Sequence, residues 1–237
     1  MIVLVSPKDV EEAKAVIRGN ADIVDVKNPK EGSLGANFPW VIRSIKELVE
    51  QEGGDGMKVS AAIGDFDYKP GTGSLAALGA ATAGAEYIKV GLLKIKTKEE
   101  AIDLLSGIVK AVKDFDPTKK VVSAFYSDYK RINSISPLEI SAIGEAVDID
   151  VAMVDTGIKD GRTTLEFMTE EELKTFVSKS KALGLMTALA GALKFEDIPA
   201  IKRINPDIIG VRGMVCGGNR EDGVREELVR DLRAEFA

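Results

Sequence analysis

Eight short apolar runs, separated by segments of helical periodicity, constrain the fold of this chain more than any other feature. They fall at residues 2–5, 23–27, 59–63, 87–90, 121–125, 151–154, 186–190 and 208–211. Between them apolar residues recur at three- and four-residue spacing, as in Val10, Ala13 and Ile17, or Ala101, Leu104, Leu105, Ile108 and Val112. Similar stripes at Val41, Ile45, Leu48 and Val49, and at Leu228, Leu232 and Phe236, predict further helices. An Ala/Gly-rich helix is expected over 75–84, and others over 137–146 and 198–204. Thr97 with Glu100, and Thr169 with Glu172, are capping-box pairs. Ser6 with Pro7 at the first helical position predicts the start of the first helix, and Gly19-Asn20 its end. Alternating strands and helices give a parallel sheet. Eight evenly spread units, with no Pro/Ser-rich linker, predict an α/β fold: a single-domain TIM (β/α)8 barrel over residues 1–237. An open doubly wound sheet is the alternative, but no Gly-x-Gly-x-x-Gly follows the first strand to support it.

Three of these runs carry charges that a buried strand should avoid: Asp25 and Lys27, Lys89, and Asp155. Strand residues two apart share a face, so Asp25 and Lys27 point the same way, as do Met153 and Asp155. In a barrel each interior layer draws its side chains from alternate strands. Lys27, Lys89, Asp155 and Arg212 fall on strands two, four, six and eight, which predicts one ring at the carboxyl-terminal rim. Apolar surroundings and neighbouring cations disfavour a protonated lysine, and a neutral amine attacks carbonyls. The alternative reading is a salt-bridged interior that only fills space. Lys159 and Asp160 follow strand six, where Lys159 is either a third site cation or a solvated loop residue.

What the chain lacks narrows the chemistry. It has no histidine and one cysteine, Cys216, which excludes Ser-His and Cys-His couples, the usual nitrogen/sulfur zinc sites and an internal disulfide. Cys216 then reads as a small loop residue. No metal and no cofactor are expected, although a carboxylate-held magnesium ion stays open. A net charge of −6 without a basic run argues against nucleic acid. The amino-terminal apolar run is too short for a membrane span or signal peptide, and with the single cysteine it points to the cytoplasm.

Glycine-containing loops follow strands seven and eight, Leu189-Ala-Gly-Ala192 and Gly210-Val-Arg-Gly-Met-Val-Cys-Gly-Gly218. Loops at these positions often bind phosphate in barrels, so Gly191, Arg212 and Gly213 are candidate contacts for a small phosphorylated substrate. Asn28, at the start of a long connection reaching Pro39, and Asp65, on the rim after strand three, are further candidates. That connection has the length of a lid or an interface loop, and Trp40 behind it would anchor either a core or a subunit contact.

The segments Asp25-Val-Lys-Asn-Pro-Lys-Glu-Gly-Ser-Leu-Gly-Ala-Asn-Phe-Pro-Trp40, Tyr68-Lys-Pro-Gly-Thr72, Tyr87-Ile-Lys-Val-Gly-Leu92, Asp155-Thr-Gly-Ile-Lys-Asp-Gly161, Ala188-Leu-Ala-Gly191 and Gly210-Val-Arg-Gly213 resemble one family over nearly the whole chain. It is (5-formylfuran-3-yl)methyl phosphate synthase, of methanofuran biosynthesis. The resemblance implies a TIM barrel that condenses two molecules of glyceraldehyde 3-phosphate with loss of one phosphate and two waters. It also implies that Lys27 is the Schiff-base lysine, Lys89 the proton acceptor and donor, and Asp25, Asp155 and Lys159 supporting residues. The segment 215–222 departs most from the family, which bears on individual phosphate ligands. Barrels of this type commonly associate, so a homo-oligomer is expected. Rival readings are another Schiff-base aldolase acting on a phosphorylated aldehyde, a non-catalytic phosphosugar-binding barrel, and an acid–base isomerase.

Overall fold

The computed structural model describes residues 1–236 and shows eight parallel strands closed into a barrel, each paired with its sequence neighbour and β8 with β1. The strands are β1 (Ile2–Val5), β2 (Ile23–Val26), β3 (Lys58–Asp65), β4 (Tyr87–Gly91), β5 (Lys120–Tyr126), β6 (Val151–Asp155), β7 (Met186–Leu189) and β8 (Ile208–Val211). The helices are α1 (Val10–Arg18), α2 (Pro39–Glu52), α3 (Pro70–Thr82), α4 (Lys98–Phe115), α5 (Tyr129–Ile132), α6 (Ile140–Ala146), α7 (Glu170–Ala182), α8 (Ile198–Ile204) and α9 (Glu226–Glu235). No helix among the described residues is long and apolar enough to cross a membrane.

Period-two alternation sorts the strands into two cores. Outward residues such as Val3, Val24, Ile88 and Val154 pack beneath the helices, whereas Leu4, Ile23, Val122, Val151, Met153 and Ile208 fill the barrel. Helix α4 shows how the outer layer holds: it buries Leu104, Leu105, Ile108 and Val112 along one stripe. Burying each such side chain contributes about 1.5–3 kcal/mol. Truncating Leu104 to alanine would cost about 2–5 kcal/mol. Toward the carboxyl ends the interior residues become small, with Ala62, Ala124, Ala188, Ala190 and Gly210. That taper leaves room for long charged side chains at the mouth.

Several expected boundaries move. Asp9, not Ser6, caps α1 by accepting from the Glu12 N–H, because Ser6 continues the inward face of β1 and donates instead to Asp25. Thr97 and Thr169 cap α4 and α7 as expected. Helix α3 starts at Pro70, five residues early, and Leu75, its expected start, is 73% exposed. Its buried face is Gly73, Ala77, Ala80 and Ala81, small residues that let it lie against α4. Strands β3 and β5 run on to Asp65 and Tyr126. Trp40 is no core anchor: it is 61% exposed and stacks on Phe38 at 4.5 Å between ring centroids.

Candidate active site

Three lysines reach the carboxyl-terminal mouth on the β2, β4 and β6 side, and their partners differ. Lys89 Nζ donates to Asp25 Oδ2 at 2.6 Å, and the same oxygen accepts from Ser6 Oγ at 2.7 Å. Both Lys89 and Asp25 are buried. Burial would raise the Asp25 carboxyl, but the Lys89 and Lys27 charges and these hydrogen bonds outweigh it and hold it below its ordinary value. Lys159 Nζ donates to Asp155 Oδ1 at 2.5 Å and to Thr156 Oγ1 at 3.1 Å. Asp155 also accepts from the Thr156 N–H at 2.7 Å. Burial opposes ionisation there too, yet Lys159 and Lys27 bring that carboxyl down to about 2.

Lys27, just past β2, has no carboxylate within ion-pairing distance among the described residues. Its one side-chain hydrogen bond, to the Ser33 carbonyl, is long at 3.5 Å. Burial lowers its pKa first, and the Lys159 and Lys89 charges push the same way. Asp155 and Asp25 oppose them, and the result is about 7. Two paired ammonium groups thus surround one amine that is part neutral at neutral pH.

The connection between β2 and α2 folds over this arc. Ser33 Oγ donates to the Thr156 carbonyl at 2.8 Å, and Leu34 is buried inside the barrel. The Leu34 N–H donates to Asp65 Oδ2 at 3.1 Å, while the Tyr126 hydroxyl donates to Asp65 Oδ1. Burial and the Asp65 charge push the Tyr126 hydroxyl well up, so it stays protonated and keeps donating. Gly91 is required beside this pair, since a Cβ there would meet both the Asp65 carboxylate and the Tyr126 hydroxyl. Asp65 is therefore a clasp for the connection. Asn28 is another local brace, accepting from the Lys30 N–H at 3.2 Å and donating to Glu31 at 3.3 Å.

A cavity of about 560 Å³ opens beside that cover. Lys27, Lys89, Asp155 and Lys159 form one wall, and Gly191, Arg212, Gly213 and Arg220 belong to the other. Asp25, Asn28 and Asp65 do not line it, and Asn28 and Asp65 make the bracing contacts above. Asp25 reaches the cavity through its bond to Lys89 and through its charge on Lys27. Gly191 has φ +100°, and a Cβ there would collide with Thr164 and the Thr156 backbone. Arg212 lines the cavity, but it is not the free cation the sequence suggests. Its five donors meet Glu12, the Ser6 carbonyl, and the carbonyls of Arg220 and Asp222. Glu12 lies on α1, so the guanidinium turns away from the cavity centre to hold the β8 loop. Cys216 is buried, and burial pushes its thiol up, as suits a small packing residue. Among the described residues no three His, Cys, Asp or Glu side chains group as metal ligands.

Sequence reasoning misses Ser6, Ser33, Tyr126 and Arg220. Ser6 and Tyr126 were findable, because each extends the inward register of its strand by two residues. Ser33 and Arg220 lie in irregular loops, where no period reports direction.

A closed parallel barrel with buried lysines converging on a cavity at its carboxyl-terminal mouth defines an enzyme of the (β/α)8 class. The sequence over residues 3–233 matches the family described as 4-HFC-P synthase, and the chain belongs to that family. It is 63% identical over 235 residues to the (5-formylfuran-3-yl)methyl phosphate synthase of Methanosarcina acetivorans, covering 99% of each chain. To the protein of the same name from Methanocaldococcus jannaschii it is 52% identical, covering 98% of each. Among solved structures it is similar to phosphoribosyl anthranilate isomerase from Thermus thermophilus, with TM-score 0.63 and 17% identity over 100% of this chain and 98% of that one. The 3-hexulose-6-phosphate synthase from Salmonella typhimurium gives TM-score 0.65 and 17% identity over 100% of both chains. These two likenesses show the fold.

Proposed function

We propose that the protein condenses two molecules of glyceraldehyde 3-phosphate into (5-formylfuran-3-yl)methyl phosphate through a Schiff base on Lys27, as a lyase of methanofuran biosynthesis. One observation carries the reading: of three clustered lysines, Lys27 alone lacks a carboxylate partner, and its amine is held at about 7. The names and high identity of the relatives support the product, and the substrate is the one that the family resemblance implies.

The residues divide the work between them. The neutral Lys27 amine attacks the carbonyl carbon of one triose phosphate and water leaves, giving a protonated imine. That imine withdraws electrons from the adjacent carbon, whose proton is removed to give an enamine. The enamine expels the phosphate of its own triose, and the unsaturated imine left behind accepts C2 of the second triose's enediolate at its terminal carbon. Lys89 moves protons in these steps, with Asp25 and Ser6 fixing its position. Lys159, held by Asp155, keeps positive charge beside Lys27 and favours its neutral form. Closure of the first triose's C2 hydroxyl on the second triose's aldehyde, loss of two waters and hydrolysis of the Lys27 imine then release the aromatic aldehyde, and formation of the ring drives the sequence forward. Phosphate recognition belongs to the glycine-containing loops after β7 and β8, whose residues form the far wall.

Borohydride trapping tests the reading. The protein incubated with glyceraldehyde 3-phosphate and reductant should carry a reduced adduct on Lys27, located by peptide mass spectrometry. Without reductant, furan absorbance and free phosphate should rise together. Substrate consumption with an unmodified Lys27 would remove the imine step. An adduct without furan would identify a different Schiff-base aldolase of phosphorylated aldehydes.

A further inference from the structure

Arg220, on the β8 loop, is a cation whose donors are left unmatched at the cavity wall. Its Nε and Nη2 are both buried without a hydrogen-bond partner. Among the described residues it is the one side chain that contributes two such atoms. Its nearest carboxylate, Glu221, lies 3.8 Å from Nε, beyond hydrogen-bond reach, and is 70% exposed. Leaving charged donors out of water and unpaired is costly, so such a group persists where something else offsets the cost.

The contrast with Arg212 gives this direction. Arg212 has acceptors for all five donors, and two of them are the Arg220 and Asp222 carbonyls. One arginine therefore fixes the backbone that presents the other. The Arg220 backbone also folds back over Gly213, where its N and Cβ lie 3.9 Å from the position a Cβ would take. Nε and Nη2 form one edge of the guanidinium plane, the two parallel N–H groups that grip a carboxylate or phosphate bidentately. Burial pulls the Arg220 guanidinium down from its ordinary value, and the Asp155 charge is the largest influence opposing that, so the group shares the field of the lysine arc.

We propose that Arg220 is the phosphate-recognition residue of this site, its Nε–Nη2 edge taking two oxygens of a substrate phosphate monoester across the cavity from Lys27. The assignment rests on the reading that the substrate is phosphorylated. It gives the free cation sought at Arg212 a different position, eight residues later.

Calorimetric titration with inorganic phosphate should show binding to the wild-type protein, weakened about tenfold or more in Arg220→Gln and only partly in Arg220→Lys. KM for glyceraldehyde 3-phosphate should rise by a similar factor. The preference of Lys27 for glyceraldehyde 3-phosphate over unphosphorylated glyceraldehyde in borohydride trapping should fall with it. Equal phosphate affinity in wild type and Arg220→Gln, or no phosphate binding to wild type, would overturn the assignment. Should Arg220→Gln fail to fold, Arg220→Lys decides: it keeps the charge but loses the fork, and unchanged affinity and KM would count against bidentate recognition. Phosphate binding that depends on Arg220, without any adduct on Lys27, would leave the subsite standing and remove the imine reading.

Discussion

The two walls of the cavity are built on opposite plans. On the β2–β4–β6 side the polar groups are carried by strands and their immediate ends, and are buried and mostly paired. Asp25 holds Lys89, Asp155 holds Lys159, and Ser33 and Leu34 lock the cover above them. The single unpaired group, Lys27, stands out against that matched background. On the β7–β8 side the wall is loop backbone with glycines at positive φ or close approach, and an arginine with two buried donors that have no partner. A strand-borne wall fixes atoms tightly enough to tune an amine. A loop-borne wall offers donors to an anion that arrives with each substrate.

The sharpest way to break this comparison is at Lys27. Lys27→Ala should abolish adduct formation and reduce turnover at least about a thousandfold, because no other amine in the arc is unpaired. Turnover within tenfold of wild type would mean that the unpaired lysine is not the chemical centre. Next in size are the buried pairs. Asp25→Asn strands the Lys89 ammonium, and Arg212→Gln strands Glu12, so each should cost about 3–5 kcal/mol in denaturant unfolding. The two should differ in function: Asp25→Asn lowers kcat through Lys89, whereas Arg212→Gln raises KM through the β8 loop. Identical kinetic signatures would erase the division between the walls.

A smaller loss is expected from Tyr126→Phe, which removes one donor from Asp65 and should cost about 1–3 kcal/mol. Hydrogen exchange should then rise in residues 28–38, since Asp65 is their clasp. A further effect is graded with pH. Below about 7 the Lys27 amine takes up a proton, so the adduct-forming rate should fall about tenfold per pH unit. For stability the sign follows from a folded pKa below the ordinary lysine value of 10.5. Between about 7 and that value the unfolded chain binds a proton that the folded chain does not. Stability therefore rises with pH through this window, by up to about 1.4 kcal/mol per unit, and the full penalty is present below it. Lys27→Met should flatten that slope, and a slope that persists in this variant would assign it to another group.

Lys27, Lys89, Asp25 and Asp155 were legible in the sequence because strand periodicity carries direction. Once eight strands are counted, two-residue spacing turns each of these side chains inward and even numbering gathers them on one arc. Lys159 follows by proximity to β6. Asp65 and Asn28 lie at the rim, and it is the tertiary structure that turns them to brace the connection over it. Arg212 has the inward register and lines the cavity, but the sequence does not show that its guanidinium finds Glu12 on α1. Leu75, though apolar, is exposed because α3 packs through its glycine and alanines instead.

By itself the sequence determined the barrel, its strand count and inner faces, and the charges that meet at its mouth, because these follow from local periodicity repeated eight times. Only the tertiary structure decided which of those charges are paired. Lys27, Lys89 and Lys159 have the same chemistry and comparable sequence surroundings. What separates them is whether a carboxylate from elsewhere in the chain lies within about 3 Å, a distance set by how strands and loops close on one another. The same holds for the two arginines of the β8 loop, one satisfied by α1 and its own loop, the other left with two buried donors unpartnered.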